Sequence, residues 1–287
     1  MLKILLSKNF TYLMTPNMKP IFLTALIAAT AILTGLVSKV ETASAADFTW
    51  NNAWTQPTIY SESQTGFNDT PFQQFVQAES VALPNSGQFQ LDPSKLNLKY
   101  DHDVSVYFIN EGAAYRNQLA FNATGTTNKS GLLFKDASCD GVGCVLGGGG
   151  SVLNLGDGVK LGNVTAGTQL DFFLKADGSS NSNGNIFGTQ TASNADGLQH
   201  AVAYAYNNYI LLAFEDLYGG LHATGGLNQN SDRDFNDLVV VLDIGEANVK
   251  ALIGASVPEP SVTLSMFAVG AVSMFGLRRR RQTRNSN

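Results

Sequence analysis

The sequence predicts an all-β fold, a single jelly-roll-like β-sandwich flanked by an N-terminal signal peptide and a C-terminal transmembrane sorting helix. Three observations predict it. The apolar runs of the central region are short, β-branched or aromatic, and bounded by Gly, Asn and Asp, which is how strands are punctuated. One of them, residues 200–206, alternates Ala with a larger side chain throughout. Two uncharged apolar stretches, residues 21–37 and 261–277, lie outside that region and have the character of export segments.

The clearest strands are expected at residues 104–109, 169–175, 199–206, 210–214 and 238–244, and weaker ones at 75–83, 118–121, 132–134 and 159–161. In 200–206 the side chains of Val202, Tyr204 and Tyr206 share one face and the alanines take the other, which suits close packing between two sheets. Asn207-Asn208 tolerates positive φ and should close a tight hairpin to the next strand. Nine or ten short strands without a convincing helix indicate a two-layer β domain. Its expected divisions are a leader at 1–45, a sandwich at 46–103 and 104–245, a linker at 246–256 and a tail at 257–287.

At the N-terminal end Lys19 precedes the apolar run, and Ala43-Ser44-Ala45 precedes Ala46. Basic flank, apolar centre and Ala-x-Ala site describe a cleavable signal peptide, with an uncleaved anchor of about 26 Å as the alternative. Met14 and Met18 are alternative initiators.

At the other end Val257-Pro258-Glu259-Pro260 precedes an uncharged run, which Arg278, Arg279, Arg280 and Arg281 terminate. The arginines cannot enter hydrocarbon cheaply, so they stop transfer and stay cytoplasmic. The prolines keep the backbone extended outside the membrane, where a processing enzyme can bind it. This order of parts resembles the PEP-CTERM sorting tail of Gram-negative bacteria. The resemblance implies recognition of Pro258-Glu259-Pro260 by an exosortase-type membrane enzyme. It also implies a transient inner-membrane stage before the cell surface or extracellular matrix, and an association with exopolysaccharide and biofilm.

Residues 46–257 hold 9 Lys+Arg against 21 Asp+Glu, a formal charge of −12, although the whole chain carries only −5. Such a module repels nucleic acid and attracts cations. Cys139 and Cys144 enclose Asp-Gly-Val-Gly, a loop supple enough for a disulfide in an oxidising compartment. A two-thiolate metal site is the alternative, without a second Cys pair or nearby His to complete it.

The densest chemistry is Phe214-Glu215-Asp216-Leu217, a Gly-rich loop, and Ser231-Asp232-Arg233-Asp234-Phe235-Asn236-Asp237. Flanking strands should bring the loop ends together, so Glu215, Asp216, Asp232, Asp234, Asn236 and Asp237 would repel unless a cation joins them. Calcium accepts six to eight oxygens in irregular geometry and fits. The alternatives are turn capping by Asp and Asn, and neutralisation by Arg233. Glu111 is a further candidate ligand, or else caps the turn at Gly112.

These residues resemble the C-terminal signature of the bacterial domain of unknown function 4114, and residues 104–117, 155–159 and 166–168 are similar to its earlier parts. The resemblance implies a secreted β-rich module with a suspected calcium site and no established activity.

No His-Glu-x-x-His or Gly-x-Ser-x-Gly motif is present, and His102, His200 and His222 stand apart. Glu111 with Glu215 is the pair a polysaccharide hydrolase would need. Trp50, Trp54, Tyr60, Tyr204, Tyr206 and Tyr209 could stack on sugars, or else pack in the core. The expected function is a non-catalytic, calcium-stabilised surface or matrix module with a structural or adhesive role that includes polysaccharide contact. The alternative is a secreted hydrolase.

Overall fold

The computed structural model describes residues 48–76, 82–83, 89–145 and 153–254. The signal-peptide site at Ala43 and Ala45 lies outside the described residues, as do Pro258, Glu259, Pro260 and Arg278 to Arg281. No helix among the described residues is long and apolar enough to cross a membrane.

The regular structure of the described residues is mostly antiparallel sheet. In chain order the strands are β1 (Phe89–Leu91), β2 (His102–Asn110), β3 (Gln118–Gly125), β4 (Lys129–Phe134), β5 (Gly158–Val164) and β6 (Thr168–Lys175). They continue with β7 (Ile186–Gly188), β8 (Ala201–Tyr206), β9 (Tyr209–Phe214), β10 (Thr224–Gly225), β11 (Asn228–Gln229) and β12 (Leu238–Asp243). A six-stranded sheet runs β1-β8-β9-β12-β2-β5, a four-stranded sheet runs β4-β3-β6-β7, and β10 pairs with β11 alone. Asn207 has φ of +53° and closes the β8–β9 hairpin through the pair Tyr206 and Tyr209, as the two asparagines predict.

The two larger sheets share one apolar core. Val104, Val106 and Phe108 of β2 meet Leu119 and Phe121 of β3 and Phe172 and Leu174 of β6 within it. Ala201, Ala203 and Ala205 face this core, while Val202, Tyr204 and Tyr206 face the other side of the sheet. That other side is not open to water. Phe67, Phe72, Phe75 and Val76, from the chain ahead of β1, cover it by packing with Tyr107 of β2, Leu211 of β9, and Val239 and Val241 of β12. Burial on both faces explains why β12 reads Leu-Val-Val-Val-Leu instead of alternating. Each covering Phe removes enough apolar surface to stabilise the fold by about 1.5–3 kcal/mol.

The strand expected at 75–83 falls largely outside the described residues, which omit 77–81; Gln73–Phe75, just ahead of it, forms a 3₁₀ turn. The aromatic rings required as ridges over the sheet favour turns there: Phe72 and Phe75 meet the Tyr206 ring edge to face at 5.5 and 5.0 Å. A short helix, α1 (Glu62–Thr65), starts the cover with a Ser61–Gln64 capping box.

Residues 246–254 pack on the domain. Glu246–Leu252 forms α2, whose Val249 enters the core. Buried Asn248 fixes it: Oδ1 accepts from Lys99 N (2.8 Å) and Tyr100 N (2.9 Å), and Nδ2 donates to Tyr100 O (2.9 Å) and Ile244 O (2.7 Å). All four bonding positions of the amide are used. The cysteines form the Cys139–Cys144 disulfide, with Cα atoms 6.0 Å apart.

Candidate metal centre

The register of the six-stranded sheet assembles the site. Phe214 is paired with Leu238, so the next residues outward, Glu215 and Asp237, emerge side by side from β9 and β12. On the opposite flank of β9, Ala201 is paired with Phe214, and Glu215 N donates to His200 O at 3.0 Å. On the far flank of β12, Val239 is paired with Asn110, which brings the Glu111 turn alongside. Four neighbouring strands thus deliver their ends to one pole.

Between Ser231 and Asp237 the backbone is left-handed at Arg233 (φ +55°) and Phe235 (φ +60°), conformations side-chain-bearing residues adopt rarely. Alternating these with Asp232, Asp234 and Asn236 curls the segment tightly. Asp234 Oδ1 accepts from Asn236 N at 2.9 Å, and Asp234 O accepts from Leu83 N at 2.9 Å.

One oxygen each from Glu215, Asp234 and Asp237 lies within 4.8 Å of the others, and all three residues are buried. Glu215 is 0 % exposed; its Oε1 accepts from Ser231 Oγ (2.7 Å) and Leu217 N (3.3 Å). Its Oε2 is buried and accepts no hydrogen bond. Asp237 Oδ2 accepts from Asp216 N at 2.7 Å. Neither Glu215 nor Asp237 has an ion-pair partner among the described residues. Arg233 makes no ion pair with them: its guanidinium donates to Gln199 O and lies 5.0 Å from the Phe235 ring centre.

Burial pushes the Asp237 carboxyl well above the ordinary carboxylate range, and the neighbouring Asp216 and Glu215 carboxylates push it further. Burial also raises Glu215, against the Ser231 hydrogen bond and the more distant Arg233 charge. Two charges about 5 Å apart repel by about 3 kcal/mol at an effective dielectric near 20. Three ionised carboxylates therefore need a counter-charge or a proton.

The donor set limits which ions such a group could hold. It is all oxygen, which disfavours zinc and copper relative to hard cations. Magnesium keeps several waters in strict octahedral geometry, whereas calcium takes irregular cages of protein oxygens. Buried carboxylates on a curled loop suit calcium.

The other expected ligands are distributed around this group. Asp216 is buried beside it, with Oδ2 accepting from Asn117 Nδ2 at 2.7 Å. Asn236 is buried between Asp234 and Asp237. Asp232 is half-buried and outside the group of three. Glu111 Oε2 accepts from Ala113 N at 3.1 Å, so this carboxylate caps its own turn, and Gly112 N donates to Asn236 O at 3.0 Å.

Residues 164–245 match the family model described as a domain of unknown function, DUF4114, and residues 256–281 match the PEP-CTERM protein-sorting motif. The chain carries both signatures. No curated protein and no solved structure matches it. The DUF4114 segment spans β6 to β12 and contains all three carboxylates. Similarity over 104–163 lies outside the matched stretch, although β2 from that region pairs with β12. The sorting motif makes this an exported protein directed to the surface, held transiently in the membrane by its C-terminal region and processed by an exosortase.

Supporting residues that the sequence reading passed over include Ser231, which holds Glu215, and Asn117, which holds Asp216. His200 is another. Its Nδ1 lies 2.9 Å from Glu215 O, its Nε2 lies 2.9 Å from Asp196 Oδ2, and its ring stacks on Phe187 at 3.7 Å. Only the position of His200 at the start of an alternating strand hinted at this.

Proposed function

We propose that the module is a non-catalytic structural component of the cell surface or matrix, stiffened by one buried calcium ion between Glu215, Asp234 and Asp237. The buried, unbonded Glu215 Oε2 carries the proposal. A desolvated carboxylate oxygen without a donor is costly, and a cation removes both that cost and the repulsion among the three carboxylates.

Burial favours a structural role for such an ion, because ligands do not reach carboxylates 0–5 % exposed. The same burial argues against a hydrolase using Glu111 and Glu215, since a polymer cannot approach either side chain. The aromatic residues available for sugar stacking are engaged within the protein. Tyr206 and Tyr209 lie against Phe72, and Trp50 and Trp54 lie against Phe48, which stacks on Phe173 at 3.7 Å. The proposed role rests on stiffness rather than glycan recognition.

Thermal unfolding of the detergent-solubilised full chain tests this reading. Calcium added after chelation should raise the midpoint, with magnesium far less effective. Equal midpoints with calcium and with chelator contradict it.

A further inference from the structure

We infer that the Cys139–Cys144 ring and Asn110 are positioning elements of the carboxylate pocket, so that disulfide formation and calcium binding reinforce one another. The inference rests on the calcium reading above and extends it to regulation of the same site.

Asn110 is the last residue of β2 and is buried. Its side chain joins three segments. Nδ2 donates to Gly143 O inside the disulfide ring (3.0 Å) and to Gln73 Oε1 in the aromatic cover (3.0 Å). Oδ1 accepts from Val145 N, just beyond the ring (3.0 Å), and from Glu111 N (3.1 Å). The amide clamps the ring on both sides of Cys144 and fixes the start of the Glu111 turn.

That turn is in direct contact with the pocket. Gly112 N donates to Asn236 O at 3.0 Å, and Asn236 N donates to Asp234 Oδ1 at 2.9 Å. The path from ring to carboxylate is therefore Gly143, Asn110, Glu111-Gly112, Asn236, Asp234, with a hydrogen bond at every step not made by the chain itself. Packing supplies a second route: Val145 and Phe235, the residue between Asp234 and Asn236, lie against the same apolar cluster. Cys139 anchors the ring from the other end, since it is buried in the inter-sheet core and bridges to Leu153.

Within the ring Cys144 N donates to Gly141 O at 3.3 Å, and Cys144 packs against the core. Val142 at its tip is fully exposed, and Gly143 has φ of +93°. Without the S–S bond, residues 140–145 gain chain entropy, and the Asn110 bonds to Gly143 and Val145 must be maintained against it. Loss of those bonds frees the turn that holds Asn236. By linkage, an ion that orders the pocket must stabilise the disulfide by the same factor.

The test uses the full chain in detergent with calcium alone as probe. Calorimetric titration of the oxidised form is compared with the form reduced by excess glutathione, in which two glutathione thiols convert the S–S bond to two cysteine thiols and glutathione disulfide. Affinity should fall about tenfold on reduction, a typical size for coupled sites. Asn110→Ala should give a similar loss while the disulfide remains intact. The reciprocal measurement needs no variant: the glutathione equilibrium of the native disulfide should shift about tenfold toward the oxidised form when calcium replaces chelator. Calcium affinities equal within twofold in oxidised and reduced protein, or a calcium-independent glutathione equilibrium, overturn the coupling and leave the calcium reading standing. Absence of binding by the oxidised chain overturns both.

Discussion

The two ends of β12 solve the same problem differently. Past Asp243 the chain enters α2, where Asn248 uses all four hydrogen-bonding positions of its amide on backbone groups of residues 99, 100 and 244. Before Leu238 it leaves a pocket where three carboxylates converge and Glu215 Oε2 meets no donor. One pole is complete with protein atoms alone, and the other needs either protons or, on the proposed reading, a bound cation. Asp171 sharpens the contrast. It is a single buried carboxylate, raised by burial yet served by Gln190 Nε2 at 2.8 Å and Thr189 Oγ1 at 3.3 Å. Neutral donors suffice for one carboxylate, not for three together.

The largest expected difference between the poles is in response to calcium. At a thousandfold excess over its dissociation constant, calcium should stabilise the fold by about 4 kcal/mol. Glu215→Gln and Asp237→Asn should abolish that increment while leaving the chelated protein as stable as before or more so. A calcium increment that survives both substitutions would dissolve the contrast. At the opposite pole, Asn248→Ala should destabilise by about 2–3 kcal/mol, because it strands several buried backbone groups. Chemical denaturation with and without calcium should show the same loss, since this pole has no ion.

A smaller effect separates the poles by pH. The folded Asp237 holds its proton to a higher pH than an unfolded Asp, near 4. At this group the folded chelated protein therefore binds more protons, and the contribution of Asp237 to stability is full below about pH 4 and declines as pH rises through the shifted value, by at most about 1.4 kcal/mol per unit. Calcium should flatten or reverse this slope, and urea midpoints between pH 4 and 8 measure it. The smallest effect is expected at Leu227, exposed in the turn between β10 and β11: Leu227→Ser should change stability by less than about 0.5 kcal/mol.

Much of the fold is legible in the sequence because its signals are local. The β8–β9 hairpin follows from Asn207-Asn208, the two faces of β8 from alternation with Ala, and the disulfide from two cysteines with two glycines between them. The missed elements have no local signal of that strength. β1 and β7 are three residues each, and α2 is seven residues with only Asn248 and Val249 buried, too short for a helical period to emerge. The aromatic cover from Phe67 to Val76 had no strand or helix period to announce it, because its apolar density is set by the sheet beneath it.

The candidate site divides in the same way. Alternation of Asp232, Asp234 and Asn236 drew attention to this segment, but the pairing of Leu238 with Phe214 decides that Asp237 stands beside Glu215 while Asp232 stays half-buried. Strand register is a long-range property, and spacing within one segment does not carry it.

The most direct measurement is an experimental structure of the chain grown with calcium, recorded at a wavelength where calcium scatters anomalously. A single peak is expected about 2.3–2.6 Å from oxygens of Glu215, Asp234 and Asp237, with Glu215 Oε2 among them. The same pocket with no anomalous peak at saturating calcium, its carboxyls satisfied by protons and each other, would contradict the account.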